Sequence, residues 1–421
     1  MRPTTTRFAR RMTRQTGALE LMDDLGTALA REDASSLHLL GGGNPARIDA
    51  VEAAYRRRLQ EIAADPAQFG RFAGTYAAPG GDLGFRAAVA ATLVELYGWP
   101  LSARNVGLAS GSQSAFFFLF NLFAGDCAAA SRKRILLPLA PEYIGYADLG
   151  LDDDMLVSQP ALVEELDDGF FKYHIDFESL RVPPDVGAIC VSRPTNPSGN
   201  VLTEAELRRL DALARAHEVP LIVDAAYGLP FPGIQHAHPG ALWNPNVVLC
   251  LSLSKLGLPA LRTGIVVADE AIVEALTAFN ATASLAPGSA GPVLVDPLLR
   301  SGELARLCRD VIGPHYRERC ALAVEALRDR CVGLPLRIHR PEGAFFLWLR
   351  FPGLPIPSAE LYRRLKARGV YVLSGHHFFP GLPDDTPHRH ECLRLSYAQP
   401  VERVRSGVAI LAEELRLAYG A

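Results

Sequence analysis

Lysine supplies the sharpest chemical lead, because only four of the 43 basic residues are lysines. Lys133 lies in the charged run SRKR, Lys172 sits beside Tyr173 and His174 in a mixed segment, and Lys366 follows two arginines in a solvated helical pattern. Lys255 stands apart. In VVLCLSLSKLGLPALRTG it directly follows an apolar, strand-like run, with no acidic residue for many positions on either side. Burial disfavours the ammonium form, so the pKa falls and the free amine becomes a nucleophile. The plainer alternative is a lysine whose stem runs along a strand end to reach water. Ser252 and Ser254 precede it and Arg262 follows seven residues on. Two hydroxyls and a guanidinium at the carboxyl end of a strand form a phosphate cradle.

Two further strand ends carry polar groups of the same kind. Asp224 closes the apolar run in PLIVDAAYG, with Tyr227 three residues beyond, and Asn196 lies in the Pro-rich turn of VSRPTNPSGN. A buried aspartate calls for a cationic partner. Asn196, Asp224 and Lys255 are 28 and 31 residues apart. Neighbouring parallel strands joined by one helix and its loops have about this spacing, so all three side chains are expected on one edge of a sheet. A second anion site is expected where Gly111, Ser112, Gln113 and Ser114 open the apolar stretch AFFFLFNLF, because free N–H groups at a helix start face a phosphate. Serine is also a common N-cap, and alone this signal is weak.

The elements that must hold these residues are legible too. The runs VGAICVS (186–192), PLIVDAA (220–226), NVVLCLS (246–252) and GIVVA (264–268) are continuous and apolar. Between the first two, Thr203 and Glu206 form a capping box, and Leu207, Leu210, Leu213 and Ala214 share one helical face. Strands without polar alternation, separated by amphipathic helices, predict a mostly parallel sheet covered on both faces, hence an α/β protein. After residue 292 the texture becomes α+β. This divides the chain into an N-terminal arm and part of a smaller domain (1–50), a large domain (51–292) and a smaller C-terminal domain (293–421). The Gly/Pro-rich SLAPGSAGP (284–292) is the expected joint.

Composition excludes several function classes. The 421 residues carry a formal net charge of −3, without the basic footprint of a nucleic-acid binder. Seven scattered cysteines without a C-x-x-C pair suit a reducing compartment. No stretch approaches the roughly 20 apolar residues of a membrane span. The Arg- and Thr-rich start, MRPTTTRFARRMTRQTG, reads as the arm of a cytoplasmic protein rather than as a transit peptide. His376, His377, His388, His390 and Cys392 fall in a Pro/Gly-rich loop without regular ligand spacing, so no metal site is expected there. The aromatics of PEGAFFLWL (341–349) read as core strand rather than pocket lining.

Taken together, SLSKLGLPALRTG, PTNPSG and DAAY resemble the S-x-S-K-x6-R-x-G, N-P-x-G and D-x-x-Y motifs of the class I/II pyridoxal-phosphate (PLP) aminotransferases, over nearly the whole chain. The resemblance implies fold type I: a large domain with a mixed, mostly parallel sheet flanked by helices, plus a smaller α+β domain. It implies that Lys255 forms the internal aldimine and later carries the proton between the substrate Cα and the cofactor. Asp224 would keep the pyridine nitrogen protonated, and Tyr227 and Asn196 would bond the phenolate oxygen. Tyr143, in PEYIGY, would stack on the ring, and Ser112, Gln113, Ser252, Ser254 and Arg262 would grip the phosphate. Tyr76 would reach the phosphate of a neighbouring subunit, which implies a homodimer with shared sites. Arg394, in CLRLSYA, would clamp the substrate α-carboxylate, and Asn196 and Gly42 or Gly43 would line the substrate's place. LLGGGNPARI, GSQSAFFFLFNLFAG, PLAPEYIGYADLGL and RLKARGVYVLSGHHFFPGL narrow the resemblance to the valine–pyruvate branch. That branch exchanges the amino group of L-valine with pyruvate in a ping-pong reaction, giving 3-methyl-2-oxobutanoate and L-alanine. Alternatives are an aminotransferase for other apolar or aromatic amino acids, a PLP β-lyase, or a regulator that binds PLP without turnover.

Overall fold

The computed structural model describes residues 5–13, 17–30, 36–127, 131–237 and 240–420. Two sheets organise the chain. The first has the order Val106–Ala109, Gly264–Val267, Val247–Ser252, Leu221–Asp224, Val186–Ser192, Arg132–Ala140, with Leu156–Pro160 and Gly125–Asp126 paired to the last of these. Its central strands run parallel, whereas Gly264–Val267 is antiparallel to both neighbours. The four apolar runs read from the sequence are four consecutive strands of this sheet. Their lack of polar alternation has a direct cause. In Val247–Ser252, Val248 and Cys250 pack into one apolar cluster while Val247, Leu249 and Leu251 pack into another on the opposite face. Both faces are dry.

The capped helix forms over Glu204–Ala216. Thr203 Oγ1 accepts from Glu206 N at 3.1 Å, and Glu206 Oε2 accepts from Thr203 N at 2.8 Å. It connects Val186–Ser192 to Leu221–Asp224, as the spacing required. The next connection differs from expectation. Among the described residues between Asp224 and Val247 there is no α-helix. Gly228-Leu229-Pro230-Phe231-Pro232-Gly233 cannot propagate i→i−4 bonding, and the segment instead crosses to the second sheet, where Gln235 bridges Gly343 and His236 N donates to Glu342 O.

The second sheet has the order Leu373–Ser374, Cys392–Ser396, Phe346–Arg350, Arg337–His339, Phe170–His174, Leu162–Glu165. Its last two strands come from within residues 51–292, so a boundary at 292 does not separate the two sheets. The strand Phe170–His174 runs parallel to Arg337–His339 through Phe171↔His339. Nor does the segment 284–292 lie between the two units. It links the helices Glu270–Ser284 and Ala290–Arg300, and the latter packs on the helix Leu83–Tyr97 beside the first sheet. The run FFLWL within PEGAFFLWL lies in the strand Phe346–Arg350 and its approach, fully buried as core. His38–Leu39 pairs in parallel with Val370–Tyr371, tying the N-terminal region to the C-terminal half.

Candidate active site

The site lies where the carboxyl ends of the first sheet meet the second. Ser192 and Asp224 are register partners at two strand ends, and the next strand ends at Ser252. After it the chain tightens into the 3-10 turn Ser254–Leu256, closed by Gly257 at φ +100°. This turn aims Lys255 into the cavity while Ser252 Oγ accepts from Ser254 N at 3.1 Å. One cavity is lined by Gly43, Ser112, Gln113, Tyr143, Asn196, Asp224, Tyr227, Ser252, Ser254, Lys255, Arg262 and Arg394. Twelve of the residues expected from the sequence therefore converge.

Lys255 Nζ donates to Gly43 O at 2.8 Å and lies 5.2 Å from the Tyr227 ring centre and 5.5 Å from that of Phe345. Burial, with the positive charges of Arg394 and Arg262, pulls its pKa down to about 8, against an opposing pull from Asp224. The amine is thus accessible in its neutral form near physiological pH. Gly43 is the glycine of the Gly41–Gly43 run that faces the site: a Cβ there would be in ordinary contact with Nζ, at 3.7 Å. Gly41 serves from behind through its carbonyl, while Gly42 is not among the residues lining the cavity.

Asp224 accepts from Tyr146 OH at 2.9 Å and from Ala226 N at 3.0 Å. Burial nonetheless raises its pKa, with those bonds and Lys255 opposing. A carboxylate held this way is under-supplied with positive charge and fits a cationic N–H donor. Tyr146 is positioned by the apolar helix Ser112–Phe123, where Phe116 and Phe120 each place a ring centre 5.2 Å from it.

At the start of that helix the geometry fits an anion. Gly111, at φ +94°, is the N-cap and supplies no capping side chain, leaving the first N–H groups open. Ser112 Oγ is buried without a hydrogen-bond partner. Arg262 closes the cradle, its Nη1 reaching Ser254 Oγ at 3.5 Å and Pro259 O at 3.1 Å. Gln113 braces the wall: its Oε1 accepts from Tyr143 OH at 3.2 Å and its Nε2 donates to Gly145 O at 3.3 Å. An orphaned hydroxyl, an uncapped helix start and a guanidinium suit a phosphate, and the amine of Lys255 and the carboxylate of Asp224 suit the aldehyde and ring nitrogen of a pyridoxal.

Arg394 comes from the second sheet. Nη1 donates to Asn196 Oδ1 at 2.7 Å and Nη2 to Gly41 O at 2.6 Å, while Nε is buried without a partner. The guanidinium carbon lies 4.0 Å from the Phe346 ring centre and 5.3 Å from that of Phe378. Burial lowers its pKa to about 10, still cationic at neutral pH.

Tyr76 is not in this cavity. It is 81% exposed and borders a separate groove with residues 72–77 and 286–290. The His-rich loop is tied up internally: His388 Nε2 bonds Tyr173 OH at 2.5 Å, His390 Nε2 bonds Asp385 at 2.5 Å, and Cys392 Sγ donates to His388 O at 3.1 Å. Among the described residues no group of three or more His, Cys, Asp or Glu could hold a metal.

Sequence reasoning missed Glu142, Tyr146, Ser192 and Met22. Met22, on the helix Gly17–Leu29, lines the cavity although 65% exposed. Glu142 is fully buried and accepts from Ser192 N, Ser192 Oγ and Tyr143 N. The signal available for it was the one that singled out Asp224, an acidic residue following an apolar strand.

Comparison with known proteins adds the lineage. The chain is 47% identical over 420 residues to the valine–pyruvate aminotransferase of Escherichia coli K12, covering 98% of each protein. The crystal structure of valine–pyruvate aminotransferase AvtA from Salmonella typhimurium LT2 superposes with a TM-score of 0.88 at 45% identity, covering 96% of this chain and 100% of that one. Aspartate aminotransferase from Thermus thermophilus, at 20% identity, shares the fold with a TM-score of 0.78, over 98% of this chain and 100% of its own. The architecture is that of fold type I, as expected. Residues 51–409 match the family described as aminotransferase class I and II, and the chain belongs to that family.

Proposed function

We propose that the protein is a PLP-dependent aminotransferase that exchanges the amino group of L-valine with pyruvate. The observation carrying the reaction class is that Lys255, Asp224 and Arg394 share one buried cavity with an anion cradle. Full-length identity to the E. coli enzyme supports valine and pyruvate as the pair. Ser112, Ser252, Ser254, Arg262 and the N–H groups after Gly111 would hold the phosphate, with Gln113 bracing that wall. Asp224 would hold the ring nitrogen, Tyr227 and Asn196 the phenolic oxygen, Tyr143 the ring face and Lys255 the aldehyde carbon. When bound, PLP supplies an electron sink that makes a substrate Cα–H acidic.

The chain's own residues do the rest. Arg394 binds the substrate α-carboxylate and so fixes the direction of the Cα–H bond. Lys255 Nζ, with its depressed pKa, would take the proton from Cα and deliver it to the cofactor carbon within the same half-reaction, the transfer running in reverse in the second half-reaction. Asp224, cationic partner in place, stays ionised. Met22, Phe116, Ile144 and Pro194 line the cavity with apolar surface and favour an apolar side chain.

The reading includes a cytoplasmic homodimer in which exposed Tyr76 reaches the partner subunit's phosphate cradle, with amino and oxo acids as substrates. It is tested by supplying the purified protein with PLP, pyruvate and single amino acids and measuring alanine formed. Valine at or near the top of the panel is expected. Valine near the bottom would reject the substrate assignment, and no alanine from any donor would reject the reaction.

A further inference from the structure

Glu142 is a fully buried carboxyl that the mechanism above does not use. It follows the strand Arg132–Ala140 and binds three separate parts of the site. Oε1 accepts from Ser192 N at 2.8 Å, and Oε2 accepts from Ser192 Oγ at 2.5 Å and from Tyr143 N at 3.2 Å. Its own N–H donates to Phe378 O at 2.8 Å. Each partner bears on the cavity. Tyr143 and Ser192 line it directly, and Ser192 is the register partner of Asp224. Phe378 places its ring 5.3 Å from the Arg394 guanidinium. The side chain thereby ties the ends of two strands of the first sheet to each other, and the backbone N–H ties them to a loop of the second.

An apolar residue would fill the same space without the desolvation cost of an acid, but would leave the N–H groups of Ser192 and Tyr143 without an acceptor. What the acid supplies is direction, since hydrogen bonds fix Ser192 and the Tyr143 backbone in a way that packing alone does not. We propose that Glu142 is a positioning residue whose carboxylate holds Tyr143 and Ser192 against the cofactor. This deepens the function proposed above and rests on it.

The carboxyl faces Cys190 from the adjacent strand Val186–Ser192, Asp224 from the strand beyond it and Tyr146 from the following turn. Burial, reinforced by Asp224, pushes the Glu142 pKa up to about 8, with the bonds from Ser192 and Tyr143 opposing. Glu142 therefore gains charge as pH rises through the neutral range.

The test compares Glu142→Gln, Glu142→Ala and Ser192→Ala with the parent protein. It measures PLP affinity by equilibrium titration, the pH midpoint of the visible absorbance of bound PLP, and kcat and KM. Above about pH 8, where the carboxyl is charged, loss of one buried bond to it is expected to weaken PLP binding about tenfold in each variant. The Gln variant, which keeps the volume but has one acceptor oxygen for three donors, is expected to shift the absorbance midpoint as Tyr143 and Ser192 move against the cofactor. The double variant Glu142→Gln/Ser192→Ala should lose less than the two single losses combined, because the pair share one bond. Parental affinity and midpoint in Glu142→Gln and Ser192→Ala would overturn the proposal, whatever their melting temperatures. Should Glu142→Ala fail to fold, these two variants still decide the matter. A parent protein that shows no Lys255-dependent PLP absorbance would instead reject the function on which the proposal rests.

Discussion

Replacing Arg394 by lysine isolates what a planar guanidinium contributes to substrate recognition. The charge is retained, but two things are lost. A lysine ammonium cannot present two parallel N–H groups to a carboxylate, so one of two charge-assisted bonds to the substrate disappears, worth about 1.5–3 kcal/mol. At 1.36 kcal/mol per tenfold, that is a fall in kcat/KM of about 10- to 150-fold. A second loss falls on the protein. In the parent, Nη1 and Nη2 serve Asn196 Oδ1 at 2.7 Å and Gly41 O at 2.6 Å, and a single shorter ammonium leaves one of these buried acceptors without a donor. That costs about 1–3 kcal/mol of stability. The assay is kcat/KM for valine, alanine and leucine, each with a suitable oxo acid, alongside PLP affinity and urea unfolding. Since every amino acid shares the carboxylate, all three kcat/KM values should fall by the same factor, with PLP affinity within about threefold of the parent. A kcat/KM for valine within threefold of the parent, or a loss confined to one amino acid, would refute the assignment of Arg394 to the carboxylate.

Further tests follow from Lys255 and Gly111. Lys255→Met should abolish turnover and the visible absorbance of PLP-loaded protein without unfolding it. In the PLP-free protein the same variant tests the depressed pKa. A folded value of about 8 below the ordinary 10.5 means that the unfolded chain binds more protons between those limits. The parent should therefore gain stability relative to Lys255→Met as pH rises from about 8 to about 10.5, by at most about 3 kcal/mol, since the amine faces an open cavity. Unfolding free energies whose difference is flat across that window would contradict it. Gly111→Ala would place a Cβ 2.2 Å from Arg262 Nη2, on a backbone at φ +94°. PLP affinity should drop at least about tenfold through displacement of the arginine and left-handed strain; a parental dissociation constant would count against the cradle.

Much of the site was legible because its residues break local expectation. An aspartate and a lysine at the ends of apolar strands are costly in isolation, and that cost marks Asp224 and Lys255. The strands were legible because both faces of the first sheet are buried, which removes polar alternation. Other features were hidden for identifiable reasons. The connection after Asp224 was expected to contain a helix, since length alone suited one, but its Gly/Pro content sends it across to Gly343 instead. The pairing of Leu162–Glu165 and Phe170–His174 with the second sheet is non-local, and nothing within residues 162–174 announces a partner at 337–339. Tyr146 and Met22 escaped because a tyrosine or methionine in an apolar setting reads as core. Glu142 escaped because a single acid beside Pro141 in a turn reads as solvent-facing.

The two strands contributed to the second sheet from the middle of the chain have a consequence for anyone recombining such enzymes. A cassette that begins near residue 293 omits Phe170–His174 and leaves Arg337–His339 as a bare strand edge, with unpaired N–H and C=O groups open to another molecule. Halves exchanged between homologues at that point would each inherit an incomplete ladder. Crossover points that keep 162–174 with 337–396 in one parent preserve it, and those are the junctions at which chimeras of this architecture should be cut.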